Sequence, residues 1–188
     1  LDAVVQARKI LETYNGVFIS DVVGLGKTYI SAMLAKALPK GKKLIICPPV
    51  LVDYWKEVLL EFDVAAEVES LGKLEKILDK GVDKFKYIFI DEAHRFRNQG
   101  TESFSNLHKI CYGKKVVLIS ATPINNYSSD IENQLYLFQP KHDSTIIGLR
   151  DLEAFFKELH RKENKYSKGT QLYVDQLRAN SEEIRDRI

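Results

Sequence analysis

The sequence predicts an α/β fold: a parallel sheet with helices on both faces, followed by a helical carboxyl-terminal extension. Three observations predict it. Short continuous apolar runs alternate with stretches of helical composition, as strands buried on both faces do. A Gly24-Leu25-Gly26-Lys27-Thr28 loop lies between one such run and one such helix. The chemically unusual residues follow directly after the apolar runs, the edge at which sheets of this kind bind ligands.

The elements follow in order. Val4, Val5, Ala7, Ile10 and Leu11 recur at helical spacing and predict an amphipathic helix over residues 2–14, ended by Asn15-Gly16. Val17-Phe18-Ile19 is the first strand, and Tyr29 to Leu38 is a helix stopped by Pro39. Lys43 to Cys47 is the second strand, and Val52 to Phe62 is a helix with Val52, Trp55, Leu59 and Phe62 on one face. Val64 to Val68 reads as a short strand and Lys73 to Leu78 as a helix. Lys86 to Asp91 and Lys115 to Ser120 are buried strands, with a helix over Phe104 to Cys111 between them. Asp130 to Phe138 is a helix stopped by Pro140. Beyond Lys141, Asp151 to Arg161 and Thr170 to Ile188 read as helices, the second through Leu172, Val174, Leu177 and Ile184. Ten Lys/Arg against nine Asp/Glu over 141–188 make this a solvated extension rather than a basic tail.

Composition bounds the function classes. A chain of 188 residues, 45% hydrophobic and 29% charged, suffices for one α/β domain with a full core. A net charge of +2 carries no electrostatic argument for nucleic acid. No apolar run approaches the ~20 residues that span a bilayer, and Asp2, Gln6, Arg8 and Lys9 break any signal-peptide pattern. Cys47 and Cys111 are expected to be reduced, buried thiols of a cytoplasmic protein. The chain opens on Leu1 and its one methionine is Met33, so a piece of a longer protein is expected.

The strand-loop-helix context turns Gly-Lys-Thr into a phosphate-loop mechanism. Gly24 and Gly26 let backbone amides approach phosphate at a positive helix end, Lys27 reaches the β- and γ-phosphates, and the Thr28 hydroxyl ligands Mg²⁺. Asp21 occupies the position where the usual pattern has its first glycine. Asp91-Glu92-Ala93-His94 follows directly on the apolar run Tyr87-Ile88-Phe89-Ile90. A carboxylate there, Asp91, can hold Mg²⁺, and Glu92 can act as general base toward a water attacking the γ-phosphate.

These residues carry a family resemblance. Asp91-Glu92-Ala93-His94-Arg95-Phe96-Arg97-Asn98 resembles motif II of superfamily-two helicases in the form seen in the Swi/Snf-like branch, and Asp21 to Thr28 is similar to that branch's phosphate loop, where Asp is the normal first residue. Ser120-Ala121-Thr122-Pro123-Ile124-Asn125-Asn126 resembles motif III, which implies that Ser120 and Thr122 couple the γ-phosphate state to a second lobe. The resemblance implies a γ-phosphate or interlobe role for His94. Ile46-Cys47-Pro48-Pro49 with Trp55 resembles motif Ia, and Ser70-Leu71-Gly72-Lys73 a second loop that touches the nucleic-acid backbone, which brings in Pro48 and Ser70. Trp55 itself is expected in the core, and Gln6 sits where the family has a glutamine that reads adenine.

The resemblance implies a RecA-like P-loop NTPase lobe over 1–140, a protrusion-like extension over 141–188, and a second lobe elsewhere in the parent chain. It implies ATP and Mg²⁺, double-stranded DNA gripped without sequence preference, and a nucleoid-associated prokaryotic setting. A motor subunit of a restriction or phage-defence system is the nearest alternative, since its chemistry is the same. A non-motor ATP switch would be expected to lose Lys27 or Glu92, and a small-molecule kinase has no use for Asp-Glu-Ala-His.

Overall fold

The computed structural model describes residues 2–20, 26–95, 100–120 and 128–188. The elements are α1 (Asp2–Tyr14), β1 (Gly16–Ser20), α2 (Lys27–Ala37), β2 (Lys42–Cys47), α3 (Val52–Glu61), β3 (Glu67–Ser70), α4 (Leu74–Asp79), β4 (Phe85–Asp91), α5 (Glu102–Cys111), β5 (Lys115–Ser120), α6 (Ser128–Leu135), α7 (Leu152–Glu163) and α8 (Gln171–Arg187). The five strands form one sheet in the order β1-β5-β4-β2-β3, and every pairing is parallel. All five carboxyl ends therefore lie on one edge.

The period-2 alternation of strand side chains divides the core in two. Ile88 and Ile90 of β4, Val116 and Leu118 of β5, and Leu44 and Ile46 of β2 pack with α4 and α5. The residues between them, Tyr87 and Phe89, Val117 and Ile119, and Ile45 and Cys47, pack with α1, α2 and α3. That two-sided burial explains why these strands read as unbroken apolar runs. The two cysteines sit in opposite clusters, and burial pushes the Cys47 thiol up to about 12, with Asp91's charge adding to the rise.

Three expected details shift. β3 begins at Glu67 rather than Val64; it lies at one edge of the sheet, where Glu67 and Glu69 pair with Lys84 and Lys80, and charge on an edge discourages pairing with another sheet. On α1, Val5 and Ile10 stay exposed while Ala7 and Leu11 are buried against α2 and the sheet. On α8, Leu172 and Val174 are exposed, and the buried stripe runs through Tyr173, Asn180 and Ile184. Gly16 opens β1 against the ring of Phe138, into which any Cβ would run.

α6 packs against α7 and α8 in a third apolar cluster that includes Ile131, Leu135, Leu152, Phe156, Leu159 and Ile184. Within it lies a buried polar network. The Glu163 carboxylate accepts hydrogen bonds from the amide and hydroxyl of Ser128, at the start of α6, and from Asn180 Nδ2 on α8. His160 joins it, 3.6 Å from Glu163 and 2.7 Å from Glu132. Burial alone would raise the Glu163 carboxyl, yet the bonds from His160, Ser128 and Asn180 outweigh it and hold the group at about 2. The bonds to Glu132 and then Glu163 outweigh burial and lift His160 to about 9.

A pH dependence of stability follows. Glu163's depressed value contributes fully above its unfolded value of 4.5 and is lost as pH falls toward 2. His160's raised value contributes fully below 6.5 and is lost as pH rises through about 9. Thermal melts against pH should therefore show a plateau between 4.5 and 6.5 with a falling limb on either side, and Glu163→Gln should flatten the acid limb. An unchanged acid limb in that variant would contradict the assignment.

Among the described residues, no helix is long and apolar enough to cross a membrane.

Candidate functional site

The site is built where β1, β5 and β4 end side by side. β1 leads to the phosphate loop, of which Gly26, Lys27 and Thr28 are described and Asp21 to Leu25, Gly24 included, lie outside the described residues. Gly26 caps α2 at φ 109°, ψ −4°, a conformation that L side chains rarely adopt. A Cβ there would meet nothing within 4 Å, so it is the backbone angle, not crowding, that demands glycine. Its carbonyl accepts the first helical bond, from the Ile30 amide at 2.7 Å. By position the amides of the first turn of α2 have no acceptor within the helix, the arrangement that receives anions.

Asp91 ends β4, buried at 6% exposure. Its Oδ1 accepts the Glu92 amide and its Oδ2 the indole N–H of Trp55, both at 2.9 Å. Burial raises the carboxyl above its ordinary value, and the Trp55 and Glu92 donors pull it back. Smaller opposing effects come from the charges of Glu92, which raises it, and Lys27, which lowers it, so the Lys27 ammonium acts within electrostatic reach of Asp91.

The chain turns sharply at Glu92, which takes φ 56° before a single 3₁₀ turn over Ala93–Arg95. A left-handed non-glycine residue costs on the order of 1–3 kcal/mol and clusters at functional sites. The turn puts the Glu92 carboxylate 3.2 Å from His94 Nε2, while His94 Nδ1 lies 3.1 Å from Ser120 Oγ at the end of β5. A side-chain chain thus runs Glu92–His94–Ser120 from one strand end to its neighbour. Thr122, with the rest of the 121–127 segment, and Phe96 to Gln99 lie outside the described residues.

The other expected residues are placed differently. Pro48 is buried, and Pro49 and Val50 are the exposed residues of that loop. Ser70 is buried too, and its hydroxyl accepts the Gly72 amide at 3.2 Å to cap a 3₁₀ turn. A polymer reaching these loops would meet Pro49, Val50, Gly72 and Lys73 rather than the two side chains named from sequence. Gln6 is on the exposed side of α1, the helix packed on α2. Trp55 is fully buried as expected, but its bond to Asp91 was not anticipated. The available signal was that a buried indole N–H needs an acceptor.

Together the sheet order, the two helical layers and the strand-end residues define a RecA-like α/β domain of the P-loop type. The chain belongs to the SNF2-related domain family, whose model matches residues 63–178. It is 30% identical over 159 residues to an uncharacterized ATP-dependent helicase, YqhH, of Bacillus subtilis, covering 72% of this chain and 28% of that protein. It is 25% identical over 173 residues to the chromodomain-helicase-DNA-binding protein 1-like of Danio rerio, covering 74% and 17%. The Sulfolobus solfataricus SWI2/SNF2 ATPase core, solved in complex with double-stranded DNA, superposes with a TM-score of 0.71 at 22% identity, over 95% of this chain and 41% of that one. The Pyrococcus furiosus Hef helicase domain superposes at 0.57 and 20% identity, over 72% and 35%. The chain therefore spans less than a third of the length of the Bacillus subtilis and Danio rerio relatives.

Proposed function

We propose that the chain is the first motor lobe of an ATP-dependent DNA helicase or translocase, with residues 1–140 forming the ATP-binding lobe and 141–188 a helical extension toward a second RecA-like lobe of the same parent chain. The observation that supports it most is the Glu92–His94–Ser120 chain, with Asp91 beside it and within reach of Lys27's charge. It joins a hydrolytic carboxylate to the strand that opens the coupling segment.

In this reading the Gly24–Gly26 backbone and Lys27 hold the ATP phosphates, and Gln6 faces the adenine. The donor set fits Mg²⁺: Asp91 supplies a buried carboxylate that keeps a free lone pair on each oxygen, and Thr28 supplies a hydroxyl. Mg²⁺, when bound, neutralises charge on the phosphate oxygens. Glu92 takes a proton from the attacking water, and His94 carries the change at Glu92 to Ser120 and on to Thr122. Duplex DNA is gripped at its backbone by the loops after β2 and β3, without reading sequence.

A single lobe lacks the arginines of a second, which supply on the order of 10³–10⁵ in rate in phosphoryl-transfer enzymes. The 188-residue chain should therefore bind ATP weakly, hydrolyse it slowly, and hold DNA with an affinity that falls with salt. Titration with a fluorescent ATP analogue tests the phosphate-loop assignment. Lys27→Ala is expected to remove the binding, and undiminished binding in that variant would refute the assignment.

A further inference from the structure

Asp91 is clamped at both carboxylate oxygens by donors from two separate elements. Glu92 contributes a backbone amide from the strand-end turn, and Trp55 contributes its indole N–H from the first turn of α3. The indole is immobile: Trp55 is 0% exposed and packed in the cluster that contains Ile45, Cys47, Phe89 and Leu59. An indole N–H is a donor only and its direction is fixed by the ring. With one bond on each oxygen, the carboxylate cannot turn about its Cβ–Cγ axis without breaking both. Each oxygen keeps a lone pair for a further partner.

We propose that Trp55 is a positioning residue for Asp91, holding its carboxylate in the orientation that receives a divalent cation bound with nucleotide at the amino end of α2. This rests on the nucleotide-site reading above. Trp55 touches neither nucleotide nor cation and acts only through Asp91. Partners of this kind, bonded to a metal ligand rather than to the metal, orient the ligand, and their loss typically costs 10–100-fold in metal affinity. Because α3 opens from the loop after β2, the bond also ties that loop to the metal-binding carboxylate.

The test exploits Trp55 being the one tryptophan of the chain. Biosynthetic replacement of tryptophan by 3-(3-benzothienyl)alanine alters this position alone, keeps the bicyclic shape and removes the N–H. Mn²⁺ serves as the probe, with ADP present and free Mn²⁺ read by electron paramagnetic resonance. The isostere and Trp55→Phe are both expected to weaken Mn²⁺ binding about 10-fold or more, with ADP binding in EDTA unchanged. The isostere keeps the packing and loses only the N–H, so its melting temperature should fall less than that of Trp55→Phe while its Mn²⁺ affinity falls as far, which separates positioning from packing. Wild-type affinity for Mn²⁺ in the isostere would overturn the proposal while leaving the nucleotide site standing. Mn²⁺·ADP binding that ignores both Asp91→Asn and Lys27→Ala would overturn the nucleotide-site reading, and Trp55's role with it.

Discussion

Glu92→Gln is expected to lower ATP turnover by about 10²–10⁴-fold, the contribution of a positioned general base, while ATP binding persists. The amide is nearly isosteric with the carboxylate and can still meet His94 Nε2, 3.2 Å away in the wild type, so the turn at Glu92 should survive. What it loses is the capacity to accept a proton from water. Phosphate release measured beside an ATP titration separates the two effects. Turnover near the wild-type rate would remove Glu92 from the role of base, and loss of binding would mean that the substitution had disturbed the site rather than its chemistry.

Glu163→Ala is expected to produce the largest loss of stability, about 3–5 kcal/mol, the usual result of removing one member of a buried charged network. Glu163 is 6% exposed, and its carboxylate serves Ser128, 3% exposed, and Asn180, 1% exposed. Removal strands those donors away from water and leaves His160 facing Glu132 alone. It also uncaps α6, whose first amide bonds Glu163. Urea unfolding should show a lower midpoint, whereas removal of Glu158, which forms an exposed pair with Arg161, should leave the midpoint where it was. A Glu163→Ala protein as stable as wild type would mean that the network is ornamental to α6, α7 and α8.

Much of the fold was legible because burial on both faces leaves a plain mark. β4 is apolar and buried from Tyr87 to Ile90 and β5 from Val116 to Ile119, and the residues that follow change character at the edge where sheets of this kind bind ligands. The phosphate loop and Asp91 to His94 are each contiguous in sequence, so the chemistry proposed for them needs no structure to suggest it. The edge strand was harder. Its glutamates are made acceptable by Lys80 and Lys84, and such a pairing across 11 and 17 positions has no local signature. α8 was read as a helix and Ile184 is buried, but its buried stripe also contains Asn180, a residue that belongs inside only once Glu163 and the Leu159 carbonyl are beside it.

The candidate site divides along the same line. Residues that lie within a local motif stood out, whereas the Trp55–Asp91 and His94–Ser120 contacts join positions 36 and 26 apart and exist only after the sheet is assembled. Pro48 and Ser70 were named from motifs that mark loops, and the fold turned those two side chains inward while leaving Pro49, Val50, Gly72 and Lys73 outside.

The most direct test of the central claim is ATP hydrolysis by the full-length protein that carries this lobe, measured with and without duplex DNA, with Glu92→Gln as the control. The account predicts strong stimulation by duplex DNA that the substitution abolishes. ATP binding without hydrolysis, whatever nucleic acid is supplied, would contradict the motor reading and leave a nucleotide-dependent switch.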